Sequence, residues 1–340
     1  MQGKSTLKDL AKILNLSVST VSKAINDSSE ISERTKIKVR NVANLNNYSP
    51  NRLAQSLKAN KTKTIGVIIP DVMSHFFAKA IHGIETKAIE LGYNVVICLS
   101  NESLKKETES INTLINGSVD GLIISLSKET QTLQSYDHFE SVLDYKLPLV
   151  LFDRISKRFS CDKINLDDKL ASAEATNHLI KTGCKNIVFL STMSGTSVGE
   201  KRRSGYSIAI KLDDLKERIV NIPNYGLFES TLIEVLKNET VDGIVAANEL
   251  SAITAIKYAL KHGYKIPQDI SVIGFTNGIL SENFIPSLTV VDQHAEEQGE
   301  LAAQTLINRI EKKTTAEPVS IILKTTIVER ESTRPIYYAK

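Results

Sequence analysis

The chain has 340 residues, 41% of them hydrophobic and 24% charged, a balance that excludes a disordered chain and leaves room for two or three domains. It holds no run of about 18 apolar residues to span a membrane, and Cys98, Cys161 and Cys184 form no CxxC metal or redox motif. The net charge of +3 conceals an asymmetry: the first 64 residues carry twelve Lys and Arg against four Asp and Glu, and the other 276 carry 30 against 35, so a basic module suited to a polyanion is joined to a mildly acidic one.

The opening Met1-Gln2-Gly3-Lys4-Ser5 runs into an amphipathic pattern rather than an apolar leader, which predicts a cytoplasmic protein. Thr6 followed by Asp9 has the spacing of a capping box, and Leu7, Leu10, Ala11 and Leu14 recur at helical intervals. A break at Asn15-Leu16-Ser17 follows. Ser17 is placed to cap a second helix containing Val18, Val21, Ser22, Ala24 and Ile25. Two short amphipathic helices with a three-residue break predict a helix-turn-helix. Ser32 opens a third helix whose Ile37, Val39, Val42, Ala43 and Leu45 are expected to cover the first two. In such a motif the second helix enters the major groove N-terminal end first. Here that end reads Val18-Ser19-Thr20, with Lys23 a turn further on. Val18 suits a thymine methyl, Ser19 either base type, and Lys23 a guanine edge or a phosphate. From Tyr48, Pro50 and Asn51 start a short helix through Arg52, Ala54, Leu57 and Lys58, ending in the polar linker Asn60–Thr64. About nine residues are too few for a stable isolated helix, so this one is expected to order on double-stranded DNA.

From Ile65 onward short apolar runs alternate with helical patterns: Ile65–Ile69, Tyr93–Ile97, Gly121–Ile124, Leu149–Phe152, Asn186–Leu190, Gly243–Ala246 and Ile270–Phe275. These have the continuous apolar character of buried parallel strands, and their number predicts two doubly wound α/β lobes. Ligands of such folds sit beyond the carboxyl ends of the strands. Candidates there are Ser74, Phe76 and Phe77 after the first strand, with the rings able to stack on a sugar or base; Asp153 and Arg154, which suit hydroxyl groups; Asn248; and Thr276-Asn277. The Gly195–Arg202 stretch lacks P-loop spacing, and no GxGxxG, HExxH or GxSxG occurs. No catalytic residue, metal site or cofactor is expected.

Thr6–Ala11, Leu16–Asn26 and Tyr48–Ala54 together resemble the LacI/GalR family of repressors. The resemblance implies an all-α helix-turn-helix head (1–48), a hinge helix and linker (49–64) and a type I periplasmic-binding-protein-like core (65–340). Its chain crossovers would fall near Cys161, Val291 and Leu323, giving lobes of 65–161 with 292–322 and 162–291 with 323–340. It implies a nucleoid-associated homodimer on a near-palindromic operator. Val18, Ser19 and Lys23 would read bases, within a DNA-binding set that also includes Thr6, Ser17, Thr20, Ser22, Asn26, Tyr48, Asn51 and Arg52. Leu57, with Ala54 and Lys58 beside it, would wedge into the minor groove. The family more often has Arg at the position of Lys23, so the forked donor is lost. In the core, Arg202 of Arg202-Arg203-Ser204-Gly205-Tyr206 would clamp a small-molecule effector, a sugar or sugar derivative, in a regulator of a carbohydrate-use operon. Thr276-Asn277 stands where the family usually has an aspartate. That loss, beside Arg154 and Arg202, predicts a net positive pocket and an acidic effector such as a uronic acid or sugar phosphate.

Overall fold

The computed structural model describes residues 5–48, 61–116, 119–314 and 317–336. The chain divides into two compact units, one ending at Thr62 and the other beginning at Lys63.

The first unit holds α1 (Leu7–Leu14), α2 (Val18–Ile25) and α3 (Glu33–Leu45). The Thr6 hydroxyl accepts from the Asp9 amide at 3.3 Å while the Thr6 amide donates to the Asp9 carboxylate at 2.9 Å, a reciprocal cap that satisfies two otherwise bare donors. The Thr6 hydroxyl also donates to that carboxylate at 2.6 Å, and this bond, with the one from the Thr6 amide, holds the Asp9 carboxyl below its ordinary range. Asn15 ends α1 in the left-handed region, at φ 54°. Ser17 and Ser32 then accept from the Thr20 and Thr35 amides at 3.0 and 3.4 Å, so each later helix starts on its own serine. Leu10, Ala11 and Leu14 bury against Val21 and Ala24 of α2 and Val39 and Ala43 of α3. Ile37 and Leu45, expected in this core, are 56% and 82% exposed. At about 100° per residue they fall on the far side of α3 from Val39.

The second unit contains two six-stranded sheets. The first comprises β1 (Thr64–Ile69), β2 (Asn94–Leu99), β3 (Leu122–Ile124), β4 (Leu149–Phe152), β5 (Asp162–Leu166) and a late strand, β11 (Ser320–Leu323), in the order β11-β5-β4-β3-β1-β2. All its pairings are parallel. The second comprises β6 (Ile187–Ser191), β7 (Ile219–Asn221), β8 (Gly243–Ala246), β9 (Ser271–Phe275), β10 (Thr289–Asp292) and β12 (Thr326–Val328), in the order β12-β10-β9-β8-β6-β7, with β12 antiparallel to β10. The central strands are buried along their length, as strands covered by helices on both faces must be. Strand order reverses between β1 and β3 and again between β6 and β8. Those two switch points open a crevice in each lobe.

One boundary needs correction. β5 lies in the first sheet, so the chain leaves the first lobe after Leu166 rather than near Cys161. It returns beyond β10 through the helix Ala295–Ile310, which packs on the helix His75–Glu90 of the first lobe, and crosses a third time between Leu323 and Thr326. Among the described residues no helix is long and apolar enough to cross a membrane.

Each lobe is closed by one helix pair in backbone contact. A Cβ on Gly83 would stand 2.1 Å from the Glu296 carbonyl oxygen, and one on Gly205 2.0 Å from that of Lys169. Gly83→Ala and Gly205→Ala should each destabilise the core by at least about 1–3 kcal/mol, measured as a lower midpoint in chemical denaturation. An unchanged midpoint in both would mean that these helices can part freely.

Candidate functional site

In the first unit Val21 and Ala24 turn α2 inward, which leaves Val18, Ser19, Lys23 and Asn26 exposed. Val18, Ser22 and Asn26 stand four residues apart along one face, and Ser19 and Lys23 run beside them, so the candidates share one stripe. At its leading end Ser17 Oγ is 2.8 Å from both Ser19 Oγ and Thr20 Oγ1, and no acidic residue occupies the first turn. A helix N-terminus with exposed hydroxyls and no carboxylate is an anion-seeking surface. Lys23 pairs with Glu30. Thr6 caps α1, and Tyr48 ends the described head, its amide donating to the Ala43 carbonyl at 2.9 Å. Asn51, Arg52, Ala54, Leu57 and Lys58 lie outside the described residues.

In the core the other candidates follow strand ends. Asp153 and Arg154 succeed β4, both buried. Asp153 adopts φ 57° and receives Ser125 Oγ at 3.5 Å. Arg154 Nη1 donates to both Glu102 carboxylate oxygens at 2.8 and 2.6 Å, its guanidinium lies 5.8 Å from the Phe77 ring centroid, and its buried Nε finds no hydrogen-bond partner among the described residues. Arg202, 2% exposed, sends Nε and Nη2 to Asp168 at 3.0 and 2.8 Å and Nη1 to the Ala247 carbonyl at 2.7 Å. Its guanidinium stacks 3.9 Å above Phe275. Asn248 caps the helix Glu249–Lys261, accepting from the Ser251 amide at 2.8 Å and donating to Thr192 Oγ1 at 3.1 Å.

Three expectations change here. Phe76 and Phe77 are only 5% and 4% exposed; they pack edge to face with each other at 5.2 Å, and Phe77 meets Phe152 at 6.2 Å. Both rings serve the core instead of standing open as a stacking platform, and Ser74 starts their helix without a side-chain cap. The pocket is not net positive either. Arg154 is matched by Glu102 and Arg202 by Asp168, and Asp153 stands 3.9 Å from Arg154 Nε. Asn277 is engaged by protein groups: its Nδ2 donates to Asp292 at 2.9 Å, its Oδ1 accepts from Arg330 at 2.6 Å and its carbonyl accepts from Lys79 of the first lobe at 3.1 Å. Thr276 gives its hydroxyl to Gln293 at 2.7 Å. Both residues line a cavity of about 330 Å³ whose wall includes Asp292, Glu296, Glu297 and Glu300, an acidic surround.

The carboxylate partners Glu102 and Asp168 escaped sequence reasoning, as did Tyr225. The last is 40% exposed, lies parallel to Phe228 at 5.8 Å, and brings its hydroxyl within 3.3 Å of Asn248 Oδ1 and 3.2 Å of Ser251 Oγ. Ser125 and Thr192 follow β3 and β6 directly, so the strand-end rule that selected Asp153 also reaches them.

A DNA-reading helical head and a ligand cleft between two α/β lobes define a ligand-responsive transcription regulator. Residues 6–51 match the model of bacterial regulatory proteins of the lacI family, and residues 176–333 that of a periplasmic binding protein-like domain. The chain is 32% identical over 341 residues to the HTH-type transcriptional regulator DegA of Bacillus subtilis, spanning 98% of this chain and 99% of that one. Its fold matches the lac repressor dimer bound to operator and the anti-inducer ONPF, with a TM-score of 0.84 at 22% identity over 98% of this chain and 100% of that one. A LacI family regulator from Enterococcus faecium with bound ribose matches at 0.72 and 23% identity over 81% of this chain and 100% of that one. The chain belongs to the LacI family of bacterial transcription regulators.

Burial pushes the Asp153 carboxyl up to about 6; the Arg154 charge opposes the rise and the Asp168 charge adds to it. The folded chain thus favours neutral Asp153, and stability is lost as pH rises from the ordinary value of 3.8 through about 6. Asp153→Asn should therefore be more stable than the parent by up to about 3 kcal/mol above pH 6, at 1.36 kcal/mol per pKa unit, with a smaller gain at pH 5. Urea denaturation at pH 5 and pH 8 checks this; an equal gain at both removes titration from the explanation.

Proposed function

We propose that this chain is a homodimeric repressor of a carbohydrate-use operon, and that a neutral sugar in the cleft sets its grip on a near-palindromic operator. The observation that carries the ligand class is that both cleft arginines already hold carboxylates. An anionic sugar would have to displace Glu102 or Asp168 or sit beside Asp153, whereas neutral hydroxyls can bond to carboxylates, amides and guanidinium edges alike. Tyr225 supplies the open ring that Phe76 and Phe77 do not, with Asn248 and Thr192 beside it. The ribose held by the Enterococcus faecium relative supports the same class. A second copy is favoured by β2, an edge strand that exposes Val96, Ile97 and Leu99 at 40%, 44% and 38%, an apolar edge that soluble chains ordinarily cover. Such a protein works in the cytoplasm, on the nucleoid.

In the head, Val18, Ser19 and Lys23 read base edges, and Leu57 opens a base step at the operator centre. Titration calorimetry against neutral aldoses and ketoses, uronic acids and sugar phosphates tests the ligand: heat is expected from a neutral sugar, and binding confined to the acids overturns the proposal. Lys23→Ala and Leu57→Ala should each weaken operator binding by about 1–3 kcal/mol. The operator duplex for that measurement comes from selection among genomic fragments, and an unchanged ratio of operator to random-DNA affinity in both variants would remove these residues from recognition.

A further inference from the structure

The first 64 residues contain four acids, Asp9, Asp27, Glu30 and Glu33. Asp9 completes the α1 cap. Asp27 holds Arg40 at 2.7 Å and Lys36 at 3.1 Å, and Glu33 holds Lys36 at 2.7 Å. These three brace the helices. Glu30, in the turn between α2 and α3, instead reaches seven residues back to the ammonium of Lys23 on the reading stripe. Both side chains stand in solvent, 65% and 47% exposed, so their pair adds little to folding.

An acid beside a DNA-reading face weakens binding to any phosphate backbone, and its presence there calls for a reason. Arginine aims itself, because its planar fork fits a guanine edge in one orientation; lysine is a compact charge on a flexible four-carbon stem. An untethered Lys23 would neutralise whichever phosphate lay nearest, which strengthens binding to every sequence alike. Tied to Glu30 by one of its three N–H donors, it keeps two for a base.

The structure assigns Glu30 as a positioning residue for sequence discrimination: it aims the Lys23 ammonium at the base edges and holds it off the phosphates. This rests on the reading of Lys23 as a base contact. Lysine and glutamate together then do what the fork of a single arginine does elsewhere.

The test measures full-length protein on the selected operator and on a random duplex of the same length over a range of salt concentrations. Glu30→Gln should bind the random duplex more tightly, with a log–log salt slope steeper by about 0.9 per head as Lys23 takes a phosphate. The operator-to-random ratio should fall about two- to fivefold per head, the range an exposed ion pair spans. Lys23→Arg in the Glu30→Gln background should restore the ratio, a rescue that a merely structural role for Glu30 would not produce. In a Lys23→Ala background, Glu30→Gln should leave the ratio unchanged. A ratio and slope unaltered by Glu30→Gln, or a ratio that still falls without Lys23, overturns the assignment while leaving Lys23 as a reader. A Lys23→Ala variant with the parent ratio overturns the reading of Lys23 itself, and the assignment with it.

Discussion

The pairing of Arg202 with Asp168 organises the second lobe and, through it, the cleft. A guanidinium that is 2% exposed cannot be left uncompensated, since an unpaired buried charge costs several kcal/mol. Its partner is the first-turn acid of the helix that follows the first chain crossing. Its third bond is to the carbonyl of Ala247 beyond β8, and its face rests on Phe275 at the end of β9. One side chain thereby ties the crossing helix, two strand ends and its own helix into a single wall. Burial raises the Asp168 carboxyl above its ordinary value even against that attraction, so the wall is held at an electrostatic cost.

That pairing also explains what the sequence left hidden. Arg202 and Asp168 are 34 residues apart, and Arg154 and Glu102 are 52; a motif announces the arginine and says nothing of the acid that neutralises it. Charge read along the chain made the pocket positive, and charge read in space makes it balanced. Phe76 and Phe77 illustrate the same limit. Aromatic rings after a strand suit either a ligand or the core, and only the edge-to-face contact with Phe152 decides between them.

Strands were legible where burial is hydrophobic and continuous. β1, β4, β8 and β9 stand out because every residue facing a helix layer must be apolar. β5 does not, because Asp162-Lys163-Ile164-Asn165-Leu166 buries polar groups whose compensation lies elsewhere: Asp162 takes Arg309 at 2.7 and 2.8 Å from 147 residues away. The boundary near Cys161, implied by the family resemblance, therefore falls one strand early. The head was legible almost throughout, since caps, breaks and amphipathic spacing are local and, among the described residues, its fully buried core consists of small and aliphatic side chains.

Coupling between ligand and DNA needs a core whose arrangements differ little in free energy, because a ligand shifts an equilibrium only by its differential affinity for the two states. The lobes are bridged by Gln131, which accepts from the Ser197 amide at 2.8 Å, and by Lys79, which donates to the Asn277 carbonyl at 3.1 Å. Each bridge sits one step from the cleft. Ser197 begins the helix that carries Arg202, and Asn277 follows Thr276, a β-branched residue held at φ 84°. A net hydrogen bond contributes about 0.5–1.5 kcal/mol, and a residue in that backbone region costs about 1–3 kcal/mol. A ligand with about tenfold preference for one lobe arrangement supplies about 1.4 kcal/mol, the size of one such bridge and within the range of ordinary allosteric coupling.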